Sequence, residues 1–171
     1  MSCDHDHVEI RPFEPADAER LVRMFDRLSR TSVYRRFFTV MPRLDGPVLR
    51  HLTSVDHVDH EAVVATIGNE VVGLAGYDRR DDDPTVAELS VLVEDDCQRQ
   101  GLARKLLRQV SRLARDRGVT TLAVSVLTEN QPALRLLRST VPDVTLVRDG
   151  PEVSALMPLR ARGARPPLTA A

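Results

Sequence analysis

Apolar positions along this chain follow two periods, 2.0 and 3.6 residues, and the alternation between them predicts strands interleaved with helices. Val8 to Arg11 reads as a first strand. Pro15 then opens a helix whose apolar stripe is Ala18, Leu21, Val22, Phe25 and Leu28. Ser32 to Phe38 reads as a second helical piece, and a third runs from about Asp45 to Ser54, with Gly46 and Pro47 blurring its start. Glu61 to Ile67 and Val71 to Tyr77 are rich in β-branched residues and flank Gly68-Asn69-Glu70, which predicts a hairpin. Thr85 to Val93 is the next strand. After a short acidic loop comes the clearest element, a helix with Leu102, Ala103, Leu106, Leu107, Val110, Leu113 and Ala114 on one face, stopped by Gly118. Thr120 to Leu127 reads as a strand, and Glu129 to Arg138 as a shorter helix burying Leu134, Leu136 and Leu137. Val144 to Val147 and Val153 to Met157 close the chain around Asp149-Gly150-Pro151.

With 171 residues the chain is most simply one domain, spanning residues 8–159. Residues 1–7 are polar and expected to be flexible; residues 160–171 are too poor in apolar mass to fold alone and are expected to be disordered. A net charge of −1 argues against bulk attraction to nucleic acid or to a membrane surface. No run approaches transmembrane length and the N-terminus lacks the build of a signal peptide. Cys3 and Cys97 form no disulfide framework, so the expected location is a reducing cytoplasm. Two strings tempt a metal reading, Cys3-Asp4-His5-Asp6-His7 and Asp56-His57-Val58-Asp59-His60-Glu61. The first lacks a rigid frame and the second lacks helical or tetrahedral ligand spacing, so no metal is expected. The basic outer face of the long helix reads as solvated.

Between the strand ending at Val93 and the long helix lies Gln98-Arg99-Gln100-Gly101-Leu102-Ala103. A turn placed there aims unsatisfied backbone N–H groups and the positive end of a helix dipole at one point, which is an anion site suited to a diphosphate. Gly101 has no Cβ to hold an anion off, and Arg99, Arg104 and Lys105 add charge. Neither Gly-x-Gly-x-x-Gly nor a terminal Gly-Lys-Ser/Thr is present, so dinucleotide and P-loop readings fail.

The pattern Gln/Arg-x-x-Gly-x-Gly/Ala resembles the coenzyme A pyrophosphate loop of the GCN5-related N-acetyltransferase (GNAT) family, and the order of elements from about residue 8 to 158 is similar to that family's. The resemblance implies an α+β (α/β) fold with a mixed central sheet of about six to seven strands flanked by about four helices. It also implies acetyl-CoA as donor and a primary amine as acceptor, with Gln98 to Arg104 holding the cofactor. The tract Leu28-Ser29 through Phe38 further resembles the acetyltransferase domain of bacterial protein-lysine acetyltransferases, which favours a protein lysine over a small amine. A homodimer is left open.

Attack by an amine requires its deprotonation, since at pH 7 only about one lysine in a thousand is neutral. Glu88 is the candidate base: an acid inside an apolar strand is costly unless it faces a cleft or solvent. Alternation puts Glu88, Ser90 and Leu92 on one face and Leu89, Val91 and Val93 on the other. The resemblance implies main-chain contacts to pantetheine from Leu92 and Val93 and a side-chain contact from Asn130. Asn130 reads equally as the N-cap of the helix after it. The chain departs from the family in Leu134 to Val141, which has no tyrosine acid and no Gly-Phe pair. A thiolate leaves without a protein acid at little cost, its pKa being about 8.5. Tyr34 and Tyr77 are weak substitutes, His60 is a candidate auxiliary base, and Cys97 is either a passive small residue or a reactive thiol. Two other readings stand beside transfer to protein: a non-catalytic acyl-CoA sensor and an acetyltransferase of small amines.

Overall fold

The computed structural model describes residues 8–141 and 144–159. Expectations for residues 1–7 and 160–171 lie outside these. The elements are β1 (Val8–Pro12), α1 (Asp17–Arg27), α2 (Arg30–Phe37), α3 (Gly46–Thr53), β2 (His60–Ile67), β3 (Glu70–Arg79), β4 (Val86–Val93), α4 (Leu102–Asp116), β5 (Thr121–Leu127), α5 (Gln131–Thr140), β6 (Thr145–Asp149) and β7 (Glu152–Pro158). Seven strands form one mixed sheet in the order β1-β2-β3-β4-β5-β7-β6. The α3 segment that Gly46 and Pro47 obscure is a helix of its own, so five helices flank the sheet. Among the described residues no helix is long and apolar enough to cross a membrane.

The apolar alternation decides which helix covers which face. Val63, Ala65, Val72, Ala75 and Leu89 point into one core with Leu106, Leu107 and Val110 of α4 and Leu134 and Leu137 of α5. Ala62, Val64, Val71, Leu74 and Leu92 point into the other with Leu21, Met24 and Phe25 of α1, Val33 of α2 and Leu52 of α3. Both faces of β2 and β3 are therefore dry, and these strands read as nearly continuous apolar runs. In α1 it is Met24, not Val22, that is buried beside Leu21 and Phe25. Gly76 lets β2 and β3 close up: a Cβ there would stand 2.6 Å from the Glu61 carbonyl oxygen.

Several buried charges are matched in pairs. Asp17 at the start of α1 is fully buried and accepts hydrogen bonds from Arg11, Arg20 and the Glu14 N–H. Burial alone would raise its pKa, but these donors hold the carboxyl below its ordinary value. Glu61 lies in the core with Arg117 at 2.9 Å and His57 Nδ1 at 2.8 Å. Arg27 ties the end of α1 to Glu94 and Glu70.

Only one pairing in the sheet is parallel, β4 with β5, and it is short. It covers Val86↔Thr121, Ala87↔Leu122 and Glu88↔Ala123. Beyond Glu88 the strands separate, β4 staying with β3 and β5 with β7. The sheet therefore carries a wedge-shaped gap that opens toward the N-terminus of α4.

Candidate active site

The segment expected to hold an anion, Gln98 to Ala103, forms the turn into α4. Gly101 is the N-cap of α4 in a left-handed conformation (φ 84°), and no side chain caps the helix. The first N–H to bond within the helix is that of Lys105, to Gly101 O at 3.1 Å, which leaves the N–H groups of Leu102, Ala103 and Arg104 directed outward. A Cβ on Gly101 would meet no atom within 4 Å. Packing within the protein thus does not require glycine here; the left-handed backbone conformation favours it. Arg99 is also left-handed (φ 59°), a strain of about 1 kcal/mol for a side-chain-bearing residue, of the sort that collects at ligand clamps.

The loop is clamped from behind by residues whose role the sequence does not disclose. Asp95 accepts from the Ser29 N–H at 2.9 Å and from the Ser29 and Ser32 hydroxyls at 2.8 Å each. Ser29 is at the same time the N-cap of α2. Gln98 turns inward, its Nε2 donating to Ser32 Oγ at 3.1 Å and to Val93 O at 3.0 Å. Gln100 Nε2 donates to Asp96 O, and Arg104 reaches Ser139 Oγ at 2.7 Å. The side chains of Gln98, Gln100 and Arg104 thus brace the loop. The serines of the Leu28–Phe38 tract are its fasteners.

Along the gap, main-chain direction is set by alternation. The Glu94 N–H donates to Val72 O at 2.9 Å, toward β3. Leu92, two residues back, turns its main chain the same way, and its side chain is buried against the α1–α3 layer. Val91 and Val93 turn theirs into the gap, so of Leu92 and Val93 it is Val93 whose N–H is directed there.

At the vertex of the wedge is Glu88, the last β4 residue paired with β5. It is exposed, as the alternation predicts, and it lines a cavity of about 910 Å³ walled by α2, α3 and the strands. Arg36, His51, Asp78 and Glu152 share that wall. Arg36 lies over the Phe37 ring at 4.9 Å, and burial pushes its pKa down while Asp78 partly offsets this. Asp78 stands directly opposite Glu88 across β3 and β4. His60 sits behind His51 and does not line the cavity.

Asn130 caps α5, its Oδ1 accepting from the Ala133 N–H at 3.3 Å. Tyr77 is wholly buried, its hydroxyl donating to Val58 O, and burial raises its pKa. It is thereby removed from the cavity. Tyr34 is exposed and lies beside the β5–α5 loop. Cys97 is buried and disulfide-bonded, which corrects the expectation that the cysteines stay unpaired and removes the reactive-thiol reading. A disulfide-bonded Cys97 gives no support for a reducing compartment.

Residues 24–140 match the acetyltransferase (GNAT) family. The chain belongs to that family. It is similar to acetyltransferase Pat of Mycolicibacterium smegmatis, 31% identical over 130 residues, or 75% of this chain and 39% of the relative. The chain thus spans well under half the length of that protein. Among solved structures, the GNAT domain of S. lividans PAT superposes with a TM-score of 0.83 at 32% identity, covering 89% of this chain and 90% of that one. The Salmonella typhimurium protein yncA, solved with its cofactor acetyl-CoA, shares the fold with a TM-score of 0.70 at 19% identity, over 96% of this chain and 99% of that one.

Proposed function

We propose that this chain transfers the acetyl group of acetyl-CoA to a primary amine of the protein-lysine class by direct attack, with Glu88 as general base. One observation carries the reading: the carboxylate at the vertex of the β4–β5 gap opens on a cavity to one side, and the gap leads to the uncapped N-terminus of α4 on the other. Acetyl-CoA fits this arrangement, since its diphosphate needs several convergent N–H donors and its pantetheine amides need unpaired strand edges. When bound it supplies an electrophilic thioester carbonyl and a thiolate that leaves readily.

The N–H groups of Leu102, Ala103 and Arg104 receive the diphosphate, with Arg99 adding charge and Gln98, Gln100 and Arg104 bracing the loop through their side chains. The Val91 and Val93 main chain receives the pantetheine arm as an added strand, and an N–H aimed at the carbonyl oxygen supports charge developing there. Asn130 keeps its amide Nδ2 for the same arm. Glu88 takes the proton from the incoming ammonium, directly or through water, which frees the lone pair for attack. Tyr77, buried and bonded to Val58 O, does not serve as the acid; a thiolate, with a pKa of about 8.5, leaves without one. The similarity to acetyltransferase Pat supports acetyl transfer, and the resemblance of the Leu28–Phe38 tract to bacterial protein-lysine acetyltransferases favours a protein acceptor.

Replacing Glu88 with Gln tests this. Transfer to a lysine-bearing protein should fall by about 10²–10⁴-fold, while CoA affinity by titration calorimetry stays within twofold. Unchanged turnover would remove Glu88 from the mechanism. Silence of the wild type across a broad amine panel despite tight CoA binding would instead make the chain an acyl-CoA sensor.

A further inference from the structure

Asp56 to Glu61 look like one acidic histidine string in the sequence, but the fold pulls them apart. Asp56 accepts three backbone N–H bonds within its own loop, from Val58, Asp59 and His60. His57 turns to Glu61. His60 turns the other way, onto the face of the sheet that carries the cavity, where it meets two residues remote in sequence. We infer that His51, His60 and Asp78 form a binding site for a divalent transition-metal ion of the zinc class at the rim of the acceptor cavity.

The three come from three elements. His60 on β2 and Asp78 on β3 are direct cross-strand partners. His51, in the last turn of α3, stacks on His60 with ring centroids 5.0 Å apart and planes 11° apart. His51 Nε2 lies 3.3 Å from Asp78 Oδ2, and His60 Nε2 lies 3.7 Å from Asp78 Oδ1. One ligand atom from each falls within 4.8 Å of the other two. A tetrahedral zinc site with bonds of about 2.0–2.1 Å has ligand–ligand edges of about 3.3 Å. The contacts of His51 to Asp78 Oδ2 and of His60 to Asp78 Oδ1 are each near that edge, and a small rotation of the carboxylate turns one oxygen toward both rings. His51, with 59% of its side chain exposed, has room to pivot out of the stack and complete the set.

The orientation of His60 is the second, independent indication. Its Nδ1 lies 3.0 Å from Ser54 O. A carbonyl only accepts, so Nδ1 carries a hydrogen, and Nε2 is the ring atom turned toward Asp78. Nε2 and Asp78 Oδ1, 3.7 Å apart, are the two atoms that a cation between them would join. An imidazole whose far nitrogen donates to a backbone carbonyl is also how metal-ligating histidines are usually fixed. Two imidazoles and one carboxylate suit zinc, cobalt or nickel better than magnesium or calcium.

Three protein ligands leave coordination positions open. His51 and Asp78 line the cavity, so the open side faces the route by which an amine reaches Glu88. A dication there repels an ammonium and occupies its path, and it makes no contact with the α4 cradle. Bound ion therefore competes with the acceptor and not with acetyl-CoA. This kinetic consequence rests on the proposed transfer reaction; the binding site does not.

Equilibrium dialysis of the full chain against zinc chloride, with cobalt(II) absorption as a second readout, tests the site in four proteins: wild type, His5→Ala/His7→Ala, His51→Ala and Asp78→Asn. The N-terminal pair is the control for the other histidine string. One ion per chain is expected in the wild type and in that double variant, with affinity at least about tenfold weaker in His51→Ala and Asp78→Asn. Loss of the ion with His5 and His7, or wild-type affinity in His51→Ala, overturns the site. Because His51 is exposed, its variant decides even if Asp78→Asn fails to fold. In kinetics, zinc should raise the acceptor KM and leave that of acetyl-CoA unchanged, and a raised acetyl-CoA KM would refute the placement. If no amine is acetylated the proposed reaction fails, while dialysis still decides the metal.

Discussion

Asp95→Ala separates a loop held in shape from a loop that merely exists. Asp95 receives three hydrogen bonds, two at exposed positions and one part-buried. A bond to a charged acceptor contributes about 1.5–3 kcal/mol when shielded and much less at the surface, so the three together amount to roughly 2–3 kcal/mol. Urea unfolding should show a loss of that size. The cofactor should feel it separately. Without Asp95 the α2 N-cap and the Ser32–Gln98 bond lose their anchor, and the left-handed turn at Arg99 and Gly101 is no longer imposed. Re-fixing that turn on binding costs about 2 kcal/mol of backbone entropy, which is about thirtyfold in CoA affinity. Calorimetric titration with CoA reads it directly. Stability lost with affinity intact within twofold would show that the clamp serves the fold and not the ligand.

The same residue gives a pH dependence. Burial would raise the Asp95 pKa, but the Ser29 N–H and the two serine hydroxyls outweigh it and hold the carboxyl below its ordinary value. A carboxyl depressed in the folded state stabilises above the unfolded pKa, about 3.9 for Asp. Its contribution is lost as pH falls through the lower folded value. The difference between wild type and Asp95→Ala should therefore be flat from neutral pH to about 5 and shrink only in acid. Gly101→Ala places a methyl where no protein atom stands within 4 Å. It should cost about 1–2 kcal/mol of stability through its left-handed backbone, and CoA affinity should fall more than tenfold; unchanged affinity would mean that the diphosphate lies elsewhere. Gly76→Ala drives a Cβ to 2.6 Å from the Glu61 carbonyl oxygen, whereas the nearest atom to a Cβ at Gly73 is the flexible Leu106 Cδ1 at 2.9 Å. Urea midpoints should rank Gly76→Ala well below Gly73→Ala, and the reverse order would refute the close-approach argument.

What periodicity reveals is burial, and wherever burial decides structure the chain is legible. The α4 stripe, the hairpin at Gly68 and Asn69, and the two faces of β4 all follow from spacing alone. The turn at Gly101 is legible too, because a glycine between a strand and an amphipathic stripe marks the start of the helix. Asp95 is not: an acid in an acidic loop reads as solvated until two serines 63 to 66 residues earlier arrive beside it. Glu61 hides the same way, since its partner Arg117 lies beyond the end of α4. His51 and Asp78 carry no local pattern that would join them to His60. The separation of β4 from β5 is invisible as well, because both strands remain apolar past the point where they part.

Among the described residues, three register pairs and the Thr120 and Thr121 N–H groups donating to Thr85 O join the β1–β4 half of the sheet to the β5–β7–β6 half. The seam is narrow, and past Glu88 no ladder hydrogen bond holds the two strands together; the halves share the core under α4 and α5 instead. A thread laid between them would act as an eighth strand, stitching both margins at once. Occupancy should then stiffen the whole sheet, so that slowed amide exchange appears on β5 and β7 as well as beside the bound molecule.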